Sequence, residues 1–362
     1  MRLQLVFIGN KFILNRPLRE YIFRQVEQSY ELPQSTLFLK DSDNTLFLQI
    51  ERLFSESQNI IIFTTSRNFS TLGKVISTIT EDNQVLLGEQ LMPSKVIEHE
   101  SRSYLLEHND VMINVVQVDE MQKLPRLLLK SEDLSGVLHI FDEDEANISE
   151  MLIPLSLTYE VSLEFATIVE GWVLLRVESK KYGNIAKFVS FAKSLLPKKI
   201  IAAESIYDHM IDRLEANGKK ISFAESCTGG LLSYHITKNN GSSKIFDGSL
   251  VTYSNTLKEN WLGVSGELLA SKGAVSAEVV ASMSDGVRGV SSADYVIAVS
   301  GVAGDGSGSK EKPVGTVFVG LRGKEYNIEL KLNLKGDRNY IQEQSVLFAI
   351  KTFLVINQEI FF

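Results

Sequence analysis

At 362 residues the chain exceeds the size at which one hydrophobic core usually keeps growing, so more than one domain is expected. A composition of 44% hydrophobic and 23% charged residues with 7 prolines is that of an ordinary globular protein, which argues against long disorder. The net charge of -8 supplies no positive field for a nucleic-acid backbone, the single cysteine (Cys227) excludes an internal disulfide and a thiolate-rich zinc site, and no long apolar run suggests a membrane span. The opening residues carry an apolar stretch too short for a signal peptide, so a reducing, cytoplasmic setting is expected, with no membrane and no nucleic acid as partner.

In chain order, Leu3 to Gly9 reads as a buried strand ending at a glycine, and the apolar spacing of Pro17 to Tyr30 predicts a helix. Asn59 to Thr64 and Gly136 to Phe141 predict two more buried strands of an N-terminal α/β sheet, with helical or irregular segments between them. From about Met151 to Pro197 the pattern becomes a strand pair, Tyr159 to Ile168 and Trp172 to Val177, followed by a helix from Asn184 to Leu196. A helix from Glu204 to Asn217 ends at Gly218, and the main boundary is placed near residue 200. Beyond it, Lys220 to Ala224 is a short strand running into Glu225-Ser-Cys-Thr-Gly-Gly230 and a helix from Leu231. Ser249 to Tyr253 predicts a strand, Ala277 to Val287 a helix, and Tyr295 to Val299 a strand running into a glycine-rich loop. Thr316 to Leu321 and Tyr326 to Leu332 alternate like paired strands before a closing helix from about Asp337, which gives a mixed α/β architecture.

Ser226 sits where a strand hands over to a glycine-supported helix start, a turn that exposes a side chain and leaves backbone N–H groups unpaired. Such a turn can hold an anion or the oxyanion of an acyl-transfer intermediate; the plainer reading is an N-cap at Ser226 or Thr228, with Gly229 and Gly230 permitting close packing. A serine needs a base, and no Gly-x-Ser-x-Gly elbow or obvious histidine partner is present, His235 reading as structural. A lysine of depressed pKa is the other option, and Lys258 is the candidate. Cys227, although the stronger intrinsic nucleophile, is expected to pack inward. The loop Ser300 to Gly308 follows a buried strand, where α/β sheets place ligands, yet it is neither a Walker loop nor a dinucleotide fingerprint. Arg338, in the first turn of the last helix, is unfavourable there unless an anion or an ion pair with Asp337 or Glu343 compensates it.

Taken together, Ala224-Glu-Ser-Cys-Thr-Gly-Gly230, Gly241-Ser-Ser243, Tyr253-Ser-Asn255 with Lys258, Gly273-Ala-Val-Ser276, Ser300-Gly-Val-Ala-Gly304, Lys312-Pro-Val-Gly315 and Gly336-Asp-Arg338 strongly resemble the CinA C-terminal domain. The resemblance implies an amidase that converts nicotinamide mononucleotide and water to nicotinate mononucleotide and ammonia. It implies Ser226 as nucleophile, Lys258 as its base, and Tyr253 as an orienting or proton-relay group. Thr228, Gly229, Gly230, Ser300, Gly301 and Arg338 are implied at the substrate, with Ser300 where the family commonly has threonine. Gln342 stands where the family often has arginine. No cofactor and no metal are expected, the partner is a small pyridine nucleotide, and a homo-oligomer is expected.

The N-terminal half resembles the family's molybdopterin-binding-like domain more faintly. In place of the family's Gly-Gly-Leu-Gly-Pro-Thr loop and paired aspartates it reads Ser66 to Gly73, and near Phe141 to Glu145 the Pro-Gly-Val-Pro loop is missing. The acidic run Asp142 to Glu145 reads as a solvated turn rather than a cation site. The expected organisation is therefore two α/β domains joined by a small α+β (KH-like) insert: a degenerate domain over 1–150, the insert over 151–200, and the amidase domain over 201–362. Two competing readings are a non-catalytic nucleotide-binding or oligomerisation protein and a nucleotide (ADP-ribose) pyrophosphatase run by the N-terminal domain. The serine–lysine pair disfavours the first, and the missing carboxylates disfavour the second.

Overall fold

The computed structural model describes residues 3–30, 33–55, 59–88, 90–129, 135–179, 183–304 and 308–362. The chain forms two compact units, Met1–Asp133 and Leu134–Phe362. In the first, β1 (Leu3–Ile8) leads through α1 (Asn10–Leu14) and α2 (Arg16–Glu27) to β2 (Ser35–Leu39), and α3 (Leu46–Ser55) leads to β3 (Asn59–Thr64). Then come α4 (Ser66–Ile79), a hairpin of β4 (Gln84–Leu87) and β5 (Gln90–Pro93), and β6 (Val96–Glu100), β7 (Ser103–His108) and β8 (Val111–Gln117). The main sheet has the order β2-β1-β3-β8-β7-β6, parallel through β8 and antiparallel beyond it. Every residue of β1 and β3 is buried, because one apolar cluster covers each face of the sheet. Continuous apolar runs rather than alternation are the signature of such strands.

The stretch between Thr64 and Gly136, expected to be helical or irregular apart from its ends, instead carries five strands among its described residues. The turn between β7 and β8 is made by Asn109 and Asp110, both with positive φ (50° and 62°), a pair of residue types suited to a two-residue hairpin turn. Ser66 to Gly73, where the resemblance expects a phosphate-cradling loop, is the first half of α4, capped by Thr65 Oγ1 accepting from Asn68 N at 3.2 Å.

In the second unit, β9 (Ser135–Phe141), α5 (Glu145–Tyr159), β10 (Val161–Val169), β11 (Trp172–Ser179), α6 (Ile185–Leu195) and β12 (Ile200–Ala202) make a βαββαβ arrangement. Its antiparallel sheet has the order β10-β11-β9-β12. The strand at 136–141, expected in the N-terminal sheet, thus pairs with β11 and β12, and the insert runs from β9 to β12 rather than over 151–200. A buried apolar run does not disclose which sheet it joins, which is why the sequence misassigned it. The acidic turn before α5 is held by ion pairs of Lys199 to Glu143 (2.6 Å) and Lys351 to Asp142 (3.3 Å), while Asp144 caps α5 by accepting from Asn147 N at 2.8 Å.

The rest of the unit comprises α7 (Ile206–Ala216), β13 (Ile221–Glu225), α8 (Leu231–Thr237), β14 (Phe246–Val251), α9 (Asn255–Leu262), α10 (Gly266–Lys272), α11 (Ala277–Val290), β15 (Tyr295–Gly301), β16 (Thr316–Arg322), β17 (Asn327–Asn333), α12 (Arg338–Ile356) and α13 (Gln358–Phe361). The sheet order is β14-β13-β15-β16-β17, with β14, β13 and β15 parallel and the other two strands antiparallel. One face packs on α7 and α12 and shares its core with Phe141, Val169 and Trp172 of the insert; the other packs on α11. Among the described residues no helix is long and apolar enough to cross a membrane.

Gly315 ties this unit together at the exit of β17. Its N–H donates to Val302 O and its carbonyl accepts from Leu334 N, both at 2.8 Å, and its φ is +92°. A Cβ there would lie 1.9 Å from Leu334 O, so both backbone conformation and space require glycine. Gly315→Ala is expected to lower the stability of the protein by at least about 2 kcal/mol in denaturant unfolding. An unchanged transition would show that the 302–315–334 junction is not a fixed part of the fold.

Candidate active site

The site is built at the carboxyl end of β13. Thr252 N donates to Glu225 O (2.8 Å) and Ser226 N to Val299 O (2.9 Å), so the chain leaves the sheet with both neighbouring strands still attached. The turn closes through Gly229 N donating to Ser226 O at 3.1 Å, and Gly229 and Gly230 take positive φ (60° and 101°). These are the conformations for which glycine is suited, so the glycine pair sets the turn that presents Ser226.

Lys258 reaches this turn from α9. Its Nζ lies 2.9 Å from Ser226 Oγ, 2.6 Å from Thr252 O and 3.3 Å from Tyr253 O, and the side chain is fully buried. All three neighbours are neutral oxygens. Burial therefore lowers the amine's pKa to about 8, and among the described residues no carboxylate lies beside it to hold the proton. In its neutral form the amine can donate to the two carbonyls and keep its lone pair for the serine hydroxyl. Cys227 does not compete for this role, since its thiol is buried and burial pushes its pKa up to about 12.

Glu225, the residue before the serine, was not singled out from the sequence. Its buried carboxylate accepts from Thr228 Oγ1 (2.8 Å), from the N–H groups of Gly230, Leu232 and Ser233 (3.0 Å each), from Ser249 Oγ (3.2 Å) and from Ser233 Oγ. With Leu231 N donating to Thr228 O at 3.0 Å, the start of α8 is internally filled. The expectation that the amides of Thr228, Gly229 and Gly230 together receive an oxyanion is corrected accordingly. Gly229 and Gly230 are committed to Ser226 O and Glu225, so of the turn's N–H groups those of Cys227 and Thr228 are the ones not taken up by another described residue. A carboxylate directly before a Ser-x-Thr-Gly-Gly turn is the signal that points to such a cap.

Gln342, on α12, donates from Nε2 to Cys227 O at 2.6 Å. That carbonyl belongs to the same planar peptide as the Thr228 N–H, so the contact fixes the direction of that N–H. His235 is structural: Nε2 lies 2.9 Å from Glu343 Oε2, and burial lowers its pKa.

Arg338 opens α12, whose cap is Asp337 accepting from Tyr340 N at 2.8 Å. Its Nη2 donates to Tyr253 Oη at 2.6 Å, and Nη1 lies 2.7 Å from where a Cβ of Gly304 would sit. Arg338 and Tyr253 thus meet at an exposed rim, with Gly304 buried beneath the guanidinium. Tyr253 orients Arg338 and touches Lys258 only through its own carbonyl. Ser300, expected at the substrate, is fully buried and donates to Ala274 O at 2.8 Å, so its hydroxyl braces the loop before α11. Gly301 pairs with Val317, and a Cβ there would lie 2.7 Å from that side chain. Asp305, Gly306 and Ser307 of the predicted loop lie outside the described residues.

Residues 203–356 match the family described as the CinA C-terminal domain. A CinA-like protein of Petrotoga mobilis is 34% identical over 233 residues, covering 60% of this chain and 58% of that protein. One from Thermotoga maritima is 40% identical over 148 residues, covering 41% of this chain and 36% of that protein. The chain spans about half the length of the curated relatives it matches. The solved competence/damage inducible protein of Agrobacterium tumefaciens is 35% identical, with a TM-score of 0.41, covering 42% of this chain and 93% of that one.

The buried amine carries a linkage consequence. Lys258 has its folded pKa (about 8) below its ordinary value of 10.5, so between those pH values the unfolded chain binds more protons and stability rises with pH. Below about 8 both forms are protonated and the dependence ends. Denaturant titrations across this range are expected to show that rise in the wild type and a smaller one in Lys258→Met. Identical slopes in the two proteins would contradict the assignment.

Proposed function

This chain belongs to the CinA family through its C-terminal domain, and we propose that this domain hydrolyses the carboxamide of nicotinamide mononucleotide, with Ser226 as nucleophile and Lys258 as base. The observation that carries the reading is the 2.9 Å approach of a buried amine to the serine hydroxyl, with neutral oxygens as its other partners among the described residues. A neutral Lys258 takes the Ser226 proton as Oγ attacks the carboxamide carbon. The carbonyl π electrons move to oxygen, and the oxyanion is received by the N–H groups of Cys227 and Thr228. Collapse of the intermediate expels the nitrogen, protonated by the lysine ammonium, as ammonia. Water activated by the same amine then attacks the acyl-enzyme, giving the carboxylate and restoring the serine.

The rim supports an anionic substrate. Arg338 is an exposed cation held beside Tyr253, and its planar guanidinium can pair with phosphate oxygens. Because Glu225 fills the start of α8, the helix amides cannot take the phosphate, and the arginine becomes the group that positions it. Gln342 supports catalysis by orienting the Thr228 N–H rather than by contacting the phosphate.

Ammonia release from nicotinamide mononucleotide tests the reading directly. The wild type is expected to be active with chelator present, and Ser226→Ala to lose at least about 10³-fold in kcat; equal activity of the two proteins would sink it. The rate should rise with pH to a plateau above about 8, standing at roughly a tenth of maximum at pH 7, since the base must be neutral. Gln342→Leu is expected to lower kcat by about tenfold or more with little change in KM, as a loosened oxyanion donor would. A variant that raises KM alone would assign Gln342 to substrate binding instead.

A further inference from the structure

We propose that Gly304 is a specificity-determining position: its missing side chain is the seat on which the Arg338 guanidinium lies, and that seat sets the preference for a phosphorylated substrate. It acts through the arginine, as a positioning residue, and the inference rests on the amidase reading above. Gly304 follows β15 in the run Ser300-Gly-Val-Ala-Gly304 and is buried. The atoms nearest to where its Cβ would sit are Arg338 Nη1 at 2.7 Å, Cδ at 3.5 Å and Cγ at 3.7 Å. All three belong to one side chain, so the arginine lies along the glycine from stem to head.

Neighbouring glycines are required by the backbone, and Gly304 is not. A Cβ at Gly315 would meet Leu334 O, and one at Gly301 would lie 2.7 Å from Val317 Cγ2 and 3.0 Å from Thr316 O. The φ of Gly304 lies outside the left-handed region, and what a methyl there would strike is the far end of a flexible side chain. Folding therefore tolerates alanine at this position. The arginine's placement does not.

The arginine itself is set for an anion from outside the chain. It occupies the first turn of α12, where a cation opposes the helix dipole. Both carboxylates that could offset it are engaged elsewhere, Asp337 by Tyr340 N at 2.8 Å and Glu343 by His235 at 2.9 Å. Among the described residues its one side-chain hydrogen bond is the donation from Nη2 to Tyr253 Oη at 2.6 Å. One N–H of the fork is thus used, and the others are open to the oxygens of a phosphate monoester.

A methyl at 304 would disturb that arrangement directly. To restore ordinary contact at about 3.5 Å, Nη1 has to retreat by roughly 0.8 Å from its present 2.7 Å. The retreat either stretches the bond to Tyr253 or tilts the fork, and a two-pronged grip on phosphate needs both distance and plane. Displacement on this scale at a positioning group is enough to cost at least about tenfold. A nucleoside lacking the phosphate has no use for the fork, so the ratio of the two substrates reports the loss.

Ammonia release by the full chain, measured on nicotinamide mononucleotide and on nicotinamide riboside, tests this with Gly304→Ala, Arg338→Ala and the double variant. The preference for the mononucleotide in kcat/KM is expected to fall at least about tenfold in Gly304→Ala, through KM, and the double variant to be no worse than Arg338→Ala, because the methyl then has nothing to displace. An unchanged preference, equal losses on both substrates, or additive losses overturn the proposal. Where no ammonia is released by any of the proteins, the amidase reading fails, and calorimetric titration with ribose 5-phosphate decides the present one. Weaker binding to Gly304→Ala than to the wild type supports the seat, and equal binding or none to either protein overturns it. If Gly304→Ala fails to fold, circular dichroism of the double variant decides: a fold regained once the arginine is gone supports the collision, and a fold still lost assigns the glycine to the backbone and overturns the proposal.

Discussion

A lysine amine that the described residues bury among neutral oxygens is the constraint from which the site follows. Lysine is rarely fully buried unless paired, because removing an ammonium from water costs several kcal/mol. Burial lets Lys258 shed its proton from about pH 8 instead of 10.5, and the three oxygens around it suit the neutral amine that results: two carbonyls that only accept and one hydroxyl that can donate. A carboxylate in place of either carbonyl would restore the ammonium and remove the base. Two elements have to agree for this to hold. α9 delivers the amine, and the Thr252-Tyr253 backbone at the exit of β14 receives it.

The negative charge of the region lies one residue from the serine yet is directed away from it. Glu225 is wholly enclosed by six donors, among them the first amides of α8. A charge so enclosed fixes the turn rigidly, and it also closes a helix start that would otherwise attract anions. Under the proposed function, recognition of the substrate phosphate has to move elsewhere. The rim at Arg338, braced by Tyr253 and lying against Gly304, is where the fold offers a cation.

Much of this was legible in the residues. The strand-to-turn handover at Ala224 to Gly230, the glycine pair and the Asp337 start of the last helix each carry a local reason that survives folding. Ser226 was legible from its turn and Lys258 as a candidate base, but only the family resemblance paired them, because 32 residues separate them and spacing says nothing about their meeting. The misses share a cause. Ser300 was expected at a substrate and Gln342 was noted only as a replacement of the family's arginine, but their polar atoms bond to backbone carbonyls, at Ala274 and Cys227, that only tertiary structure brings near. The strand at 135–141 was assigned to the wrong sheet because a continuous apolar run records burial and not partner. The Asn109-Asp110 turn carried a readable hairpin signal that went unread.

The first unit keeps its architecture where its expected site is absent, and the local chemistry explains how. After β3, Thr65 caps α4 at once, so the chain turns directly into a helix whose Phe69, Leu72 and Ile76 pack on the sheet. A loop able to wrap a phosphate would interrupt that packing. On the same grounds the turn at Asp142 to Glu145 has its carboxylates engaged by Lys351, Lys199 and the first turn of α5. Groups that would otherwise invite a cation are consumed in holding the insert together, so the proposed chemistry rests on the serine–lysine pair of the C-terminal domain.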